Sequence, residues 1–188
     1  MQPVVFISRI DDLVLVLFNR LGAIPGVAPI SSLISAVGNI YIWLAIAFFL
    51  LVTRRQRALR LFVVGFAAVA ATVLLTDLIK HLVAKPRPYE VLPYIVRYGN
   101  VELSRSFPSG HASQAFAAAA VLSAGVKKWR LVWFAIAIAI AASRMILGVH
   151  YPSDVIAAAL LGFVIGWGFV KGFRVKDVDG PESARWLS

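Results

Sequence analysis

Between Ser143 and Asp154 the chain reads Ser-Arg-Met-Ile-Leu-Gly-Val-His-Tyr-Pro-Ser-Asp. Pro152 marks a helix start just after His150, and Asp154 follows His150 by four residues. An imidazole with a carboxylate at that spacing can act as a nucleophile with its orienting group. Arg144, six residues before His150, supplies a guanidinium suited to clamping an oxyanion. The same residues also permit a structural reading, in which Arg144 pairs with Asp154 at a helix junction and His150 is a satisfied interfacial histidine.

Two further groups carry similar chemistry. Lys80 and Arg87 are separated by six residues, with Pro86 and Pro88 flanking Arg87. Pro86 ends a helix, which puts Lys80 on its last turn and Arg87 on the loop beyond. A point charge and a planar fork together suit a phosphoryl group, although both side chains could instead snorkel to lipid phosphates. Pro108-Ser109-Gly110-His111 reads as a helix start. Ser109 is a good N-cap, Gly110 allows close backbone approach, and the free amides with the dipole favour an anion. His111 in the first turn faces that anion; the alternative is an ordinary capped helix with an interfacial histidine.

The elements that position these groups are apolar. The chain has 188 residues, 60% hydrophobic and 15% charged, too apolar for an ordinary soluble surface. Its net charge of +10 lies in short basic clusters between apolar runs, a pattern of membrane topology and anionic head groups rather than of nucleic-acid binding. No cysteine is present, so disulfide and thiolate chemistry are excluded. Asp11 and Asp12 interrupt the first apolar stretch, unlike a cleaved signal peptide.

Residues 4–21 read as an amphipathic interfacial helix, followed by a turn at Gly26 and Pro29. Five apolar runs follow: Ile30 to Thr53, Leu61 to Leu75, Ser109 to Val126, Leu131 to Val149 and Ser153 to Phe173. Spanning a bilayer takes ~20 apolar residues. The sequence therefore predicts an all-α polytopic membrane bundle of five transmembrane helices plus the N-terminal helix. It forms one domain over 1–176, with 1–28 as interfacial helix and turn, 29–173 as bundle, and 177–188 as a loose tail. The basic clusters at Arg54 to Arg60, Lys127 to Arg130 and Lys171 to Lys176 place their ends and the C-terminus in the cytoplasm. The three reactive groups then share the outer face. Small residues such as Ala158, Gly162 and Gly166 predict close helix packing, and Trp43, Trp133 and Trp167 packing or interface anchors.

Taken together, Lys80-x6-Arg87-Pro88, Pro108-Ser109-Gly110-His111 and Ser143-Arg144-x5-His150-x3-Asp154 resemble the three-part signature of the type 2 phosphatidic acid phosphatase family, which shares its site with the vanadium haloperoxidases. The resemblance spans residues 80 to 154, and the membrane runs disfavour the soluble branch. It implies a lipid phosphatase. His150 would be the nucleophile, forming a phosphohistidine; Asp154 would orient its ring; His111 would be the general acid and then the general base. Lys80, Arg87, Ser109, the Gly110 amide and Arg144 would hold the phosphate oxygens. It implies no cofactor, and no second carboxylate cluster exists in the sequence to hold Mg²⁺.

Outside the signature, Asp77 shares a helical face with Lys80 and His81 and is expected to pair so as to aim Lys80, the alternative being a direct catalytic role. Lys85 is expected to contact either a second phosphate or lipid head groups. The implied partners are a lipid phosphate or pyrophosphate and membrane lipids, in a bacterial inner membrane with the site facing out. Undecaprenyl pyrophosphate, phosphatidylglycerol phosphate, phosphatidic acid and the phosphate of lipid A all fit. A phosphotransferase using the same phosphohistidine, or a non-catalytic lipid binder or transporter, are the alternatives; oligomeric state is not legible.

Overall fold

A computed structural model of the chain describes residues 3–37 and 56–176. Every regular element among them is helical. In chain order these are α1 (Pro3–Leu21), α2 (Val27–Val37), α3 (Gln56–Val83), the short α4 (Pro88–Val91), α5 (Gly110–Gly125), a 3₁₀ turn (Lys127–Trp129), α6 (Arg130–Ile146) and α7 (Pro152–Gly172). Among the described residues, three stretches are long and apolar enough to cross a bilayer: Leu59–Val91, Lys127–Ile146 and Pro152–Gly172. The expected span from Ile30 to Thr53 begins in α2, and the rest of it, with Trp43, lies outside the described residues. Pro29 does not sit in the turn that was expected of it. It occupies the first turn of α2, where a missing N–H costs nothing.

α5 is the central helix, packed chiefly on α7 and then on α6 and α3. Its 16 residues fall short of the expected 18-residue run. Alanine explains its place. Ala112, Ala115, Ala117, Ala118, Ala119 and Ala120 are all buried, so neighbouring backbones approach closely on several sides. On α7 the expected small-residue seam is present: a Cβ on Gly162 would collide with the Ser113 carbonyl, and one on Gly166 with that of Ala117.

α1 is amphipathic in an unusual sense. Its buried stripe is Asp11, Leu15 and Asn19, at four-residue spacing, while Ile10, Leu13, Leu17 and Leu21 are exposed. The polar members of the stripe tie it down. Asn19 Nδ2 donates to the carbonyls of Val96 (2.8 Å) and Ile146 (3.0 Å), and Asn19 Oδ1 accepts the Val96 N–H at 2.9 Å. The outward leucines are left for an apolar solvent.

The described members of the basic clusters meet at one end of the bundle. Arg60 donates to the Phe173 carbonyl at 2.9 Å, and Lys127, Arg130, Lys171 and Arg174 line one groove. The three reactive segments lie at the opposite helix ends, as the parity of the runs predicts.

Candidate active site

His150 sits in the junction between α6 and α7, fixed by local backbone geometry. Gly148 adopts φ +73, a left-handed conformation that side chains disfavour, and a Cβ there would also meet the Val96 carbonyl. The turn delivers His150 to a position 1% exposed. Its Nε2 lies 3.4 Å from Arg87 Nη1. A guanidinium can only donate, so Nε2 must be the acceptor, with its lone pair free of a proton. Nδ1 then carries the hydrogen and faces Asp154 Oδ2 at 3.6 Å, beyond hydrogen-bond length. Burial, and then the positive charge of Arg144 and Arg87, outweigh Asp154 and push His150 down to about 3. The ring is neutral at physiological pH.

Asp154 is completely buried at the third position of α7. Its Oδ2 accepts from the Tyr151 N–H (3.0 Å) and the Ser106 hydroxyl (2.5 Å), so the carboxylate also caps its own helix. Its Oδ1 accepts from Lys85 Nζ at 2.7 Å. Arg144 therefore does not pair with Asp154. It binds Ser35 of α2 and Glu102 instead.

Besides His150, Arg87 is held by three acceptors: its Nε donates to the Ser104 carbonyl (2.8 Å), Nη1 to the Val149 carbonyl (2.9 Å) and Nη2 to the Ser104 hydroxyl (3.2 Å). Lys80, on the last turn of α3, is buried and donates to the Arg105 carbonyl. Ser109 occupies the N-cap position of α5, but its hydroxyl makes no capping bond and has no partner, while its N–H goes to the Asp154 carbonyl at 3.2 Å. Three of the four buried side-chain polar atoms without a hydrogen-bond partner among the described residues lie here: Ser109 Oγ, Arg144 Nε and His150 Nδ1. Clustering of that kind marks a functional site rather than a packed core.

These groups converge. Lys80, Arg87, Gly110, His111 and His150 line one cavity of about 210 Å³. Arg144 lines a neighbouring cavity of about 180 Å³ with Ser32, Ser35 and Asn100. His111 and Glu102 line both.

Two expectations need correction. Lys85 does not face the cavity; the buried Asp154 carboxylate attracts it more strongly than exposed head groups could. Asp77 does line the cavity, but its partner is His81 (3.7 Å), with both side chains mostly exposed, so it does not aim Lys80. The Arg105 carbonyl and, at 3.5 Å, the Ser104 hydroxyl do that.

Glu102 was not anticipated. Its Oε1 binds Arg144 Nη2 and its Oε2 lies 3.6 Å from Arg87 Nη2. Burial would raise its carboxyl, but the charge and hydrogen bond of Arg144, with Arg87 behind it, hold it below the usual carboxylate range. The only signal was that it is the sole acidic residue between Leu92 and Ser109, in a loop rich in cations.

The sequence profile of the PAP2 superfamily matches residues 60–176, which include Lys80, Arg87, Glu102, Ser109, His111, Arg144, His150 and Asp154. The chain belongs to that superfamily. It is 29% identical over 149 residues to an undecaprenyl-diphosphatase of Sulfolobus acidocaldarius, covering 79% of this chain and 70% of that protein. It is 34% identical over 128 residues to a lipid A 1-phosphatase of Rhizobium etli, covering 63% of this chain and 53% of the relative. The chain thus spans about half the length of some relatives. The crystal structure of LpxE from Aquifex aeolicus has a TM-score of 0.69 at 27% identity, covering 82% of this chain and 93% of that one. A PAP2-type phosphatidylglycerolphosphate phosphatase from Bacillus subtilis shares the fold at TM-score 0.65 and 21% identity, over 87% of this chain and 85% of that one. Family and relatives together place this protein among the membrane-embedded lipid phosphatases.

Proposed function

We propose that this protein hydrolyses the phosphomonoester or pyrophosphate of an envelope lipid through a phosphohistidine on His150, without a metal ion. The observation that carries the reading is the shared cavity: two histidines, a lysine, an arginine and a helix N-terminus face one phosphate-sized hollow. In the first step the Nε2 lone pair attacks phosphorus and the bond to the lipid oxygen breaks. His111 gives its proton to that departing oxygen. In the second step His111 takes a proton from water, the new P–O bond forms, and the P–N bond breaks to release phosphate and restore His150. Asp154 stabilises the positive ring between the steps. Lys80, Arg87, Arg144 and the amides at the start of α5 stabilise the equatorial oxygens of the in-line transition state.

The convergence of basic residues at the far end of the bundle supports an outward-facing site with a cytoplasmic C-terminus, in a bacterial inner membrane. The one-domain organisation over 1–176, with five spans, belongs to the same reading. Undecaprenyl pyrophosphate and a lipid A phosphate are the leading substrates, from the relatives' names; the finer choice needs side-by-side turnover of both with phosphatidylglycerol phosphate and phosphatidic acid. Replacing His150 with Ala is expected to abolish phosphate release, and near-normal turnover would refute the assigned nucleophile. Activity is expected to survive EDTA; strict dependence on added Mg²⁺ would refute the metal-free mechanism.

A further inference from the structure

Lys85 lies inside the Lys80-x6-Arg87 spacing, yet the reaction as derived gives it nothing to do. Its Nζ donates to Asp154 Oδ1 at 2.7 Å and to the Ser153 hydroxyl at 3.1 Å, and lies 4.0 Å from the centre of the Tyr151 ring. On its outer side, Asp11 Oδ2 is 3.7 Å away. Asp11 belongs to α1, more than 140 residues from the start of α7, yet it accepts the Ser153 N–H at 2.7 Å and also binds the Ser153 hydroxyl. It therefore satisfies one of the orphan amides at the N-terminus of the helix that carries Asp154. A continuous line of contacts runs from α1 through Asp11, Lys85 and Asp154 to His150.

The geometry gives Lys85 a specific task. Asp154 Oδ2 is the oxygen nearest His150, and the Tyr151 N–H and the Ser106 hydroxyl pin it. Among the described residues, Oδ1 has one polar contact, Lys85. Without it, a fully buried carboxylate oxygen would lose the cation that sits against it at 2.7 Å. A buried charge stripped of its partner rotates, draws in water or takes up a proton, and each outcome disturbs the acceptor that the His150 ring requires.

We propose that Lys85 is a positioning residue of the phosphatase reaction, holding the Asp154 carboxylate in the orientation His150 needs, and that Asp11 makes the N-terminal surface helix part of the same apparatus. The inference rests on the reading of His150 and Asp154 as nucleophile and orienting carboxylate.

The test uses the full chain in mixed micelles of a non-ionic detergent with phosphatidic acid as probe substrate. Lys85→Met is expected to lower kcat about 10- to 100-fold while KM stays within about 3-fold, because the residue acts through another group and touches no phosphate. Lys85→Arg restores most of the loss. Asp11→Asn lowers kcat by a smaller factor, about 3- to 10-fold, with KM again unmoved. In an Asp154→Asn background, adding Lys85→Met changes kcat by less than about 3-fold, since the group it orients is already lost.

A wild-type kcat in Lys85→Met would overturn the proposal, as would additive losses in the double variant. A raised KM at unchanged kcat would overturn it in favour of direct phosphate contact. If Lys85→Met gives no monodisperse protein, Lys85→Arg and Asp11→Asn decide: a kcat split from KM in Asp11→Asn supports the line of contacts, and wild-type kinetics in that variant overturns it. Near-normal turnover by Asp154→Asn alone would sink the parent reading instead, and so is distinguishable from failure of the Lys85 inference.

Discussion

Replacing Glu102 with Gln tests whether the carboxylate sits in the seat a phosphoryl group must take. Glu102 bridges Arg144 and Arg87, two of the three cations assigned to the phosphate. An incoming dianion must share those guanidiniums with it or displace it. At the 3.6 Å of the Arg87 contact, a unit-charge pair in an effective dielectric of about 20 is worth about 4.6 kcal/mol. The side chain is 30% exposed, so water screens much of that. Taking about a third as felt by the competing anion leaves about 1.5 kcal/mol, or about tenfold in affinity. The Gln amide keeps an acceptor for Arg144, so the change is mainly one of charge. The assay is product inhibition: the Ki of inorganic phosphate against hydrolysis in mixed micelles at neutral pH. The Ki is expected to fall about tenfold in Glu102→Gln, following that electrostatic argument. A Ki that is unchanged, or that rises, would show that Glu102 organises the arginines for phosphate rather than competing with it.

Three other outcomes are expected. His150 is held near 3 by burial while an unfolded histidine titrates near its ordinary value of about 6.5. The folded state thus binds fewer protons, so stability is full above about pH 6.5 and is lost as the pH falls from there towards 3. Between pH 7.5 and 5.5 the loss from this group is about 1.4 kcal/mol, and His150→Asn should flatten the thermal midpoint over that window; an unflattened profile would refute the burial argument. Gly162→Ala puts a methyl group into the Ser113 carbonyl and should cost about 1–3 kcal/mol, read as a lowered Tm in detergent; an unchanged Tm would contradict the α5–α7 contact. Asn19→Ala leaves a half-buried amide and two carbonyls without their partner and should cost about 1–2 kcal/mol by the same measurement, whereas no change would mean α1 is not held by Asn19.

What the sequence made legible followed chain-local spacing. His150 and Asp154 are four residues apart on either side of a helix start, and Ser109 to His111 straddle another, so their local geometry could be worked out without a fold. The apolar runs were likewise readable as helices, though α3 extends on both sides of its run because helical hydrogen bonding continues through the polar ends. What stayed hidden depends on pairing across loops. Glu102 reaches Arg144 over 42 residues, Ser106 reaches Asp154 over 48, and Asp11 reaches Ser153 over 142. No periodicity encodes such contacts. Lys85 shows the cost: judged by its neighbours it was one cation among several near a head-group region, whereas its partner lies 69 positions away in a dry interior. The loop from Lys80 to Arg105 carries five cations, which charge bias alone would place in the cytoplasm, but Lys80, Lys85 and Arg87 are turned inward to partners within the protein and so say little about topology.

One wall of the cavity that holds His111 and His150 is built from Val73, Thr76 and Asp77 of α3 and from Gln114 of α5, beside a flank of α3 where Leu74, Leu78 and Leu82 are exposed. On the proposed reading, a molecule with a phosphorylated head and a long hydrocarbon tail enters past that flank, its tail staying in oil. Encounters then occur in two dimensions. Turnover should track the mole fraction of target within the sheet or micelle, so that diluting the surface with inert detergent slows the enzyme even when the bulk concentration is fixed.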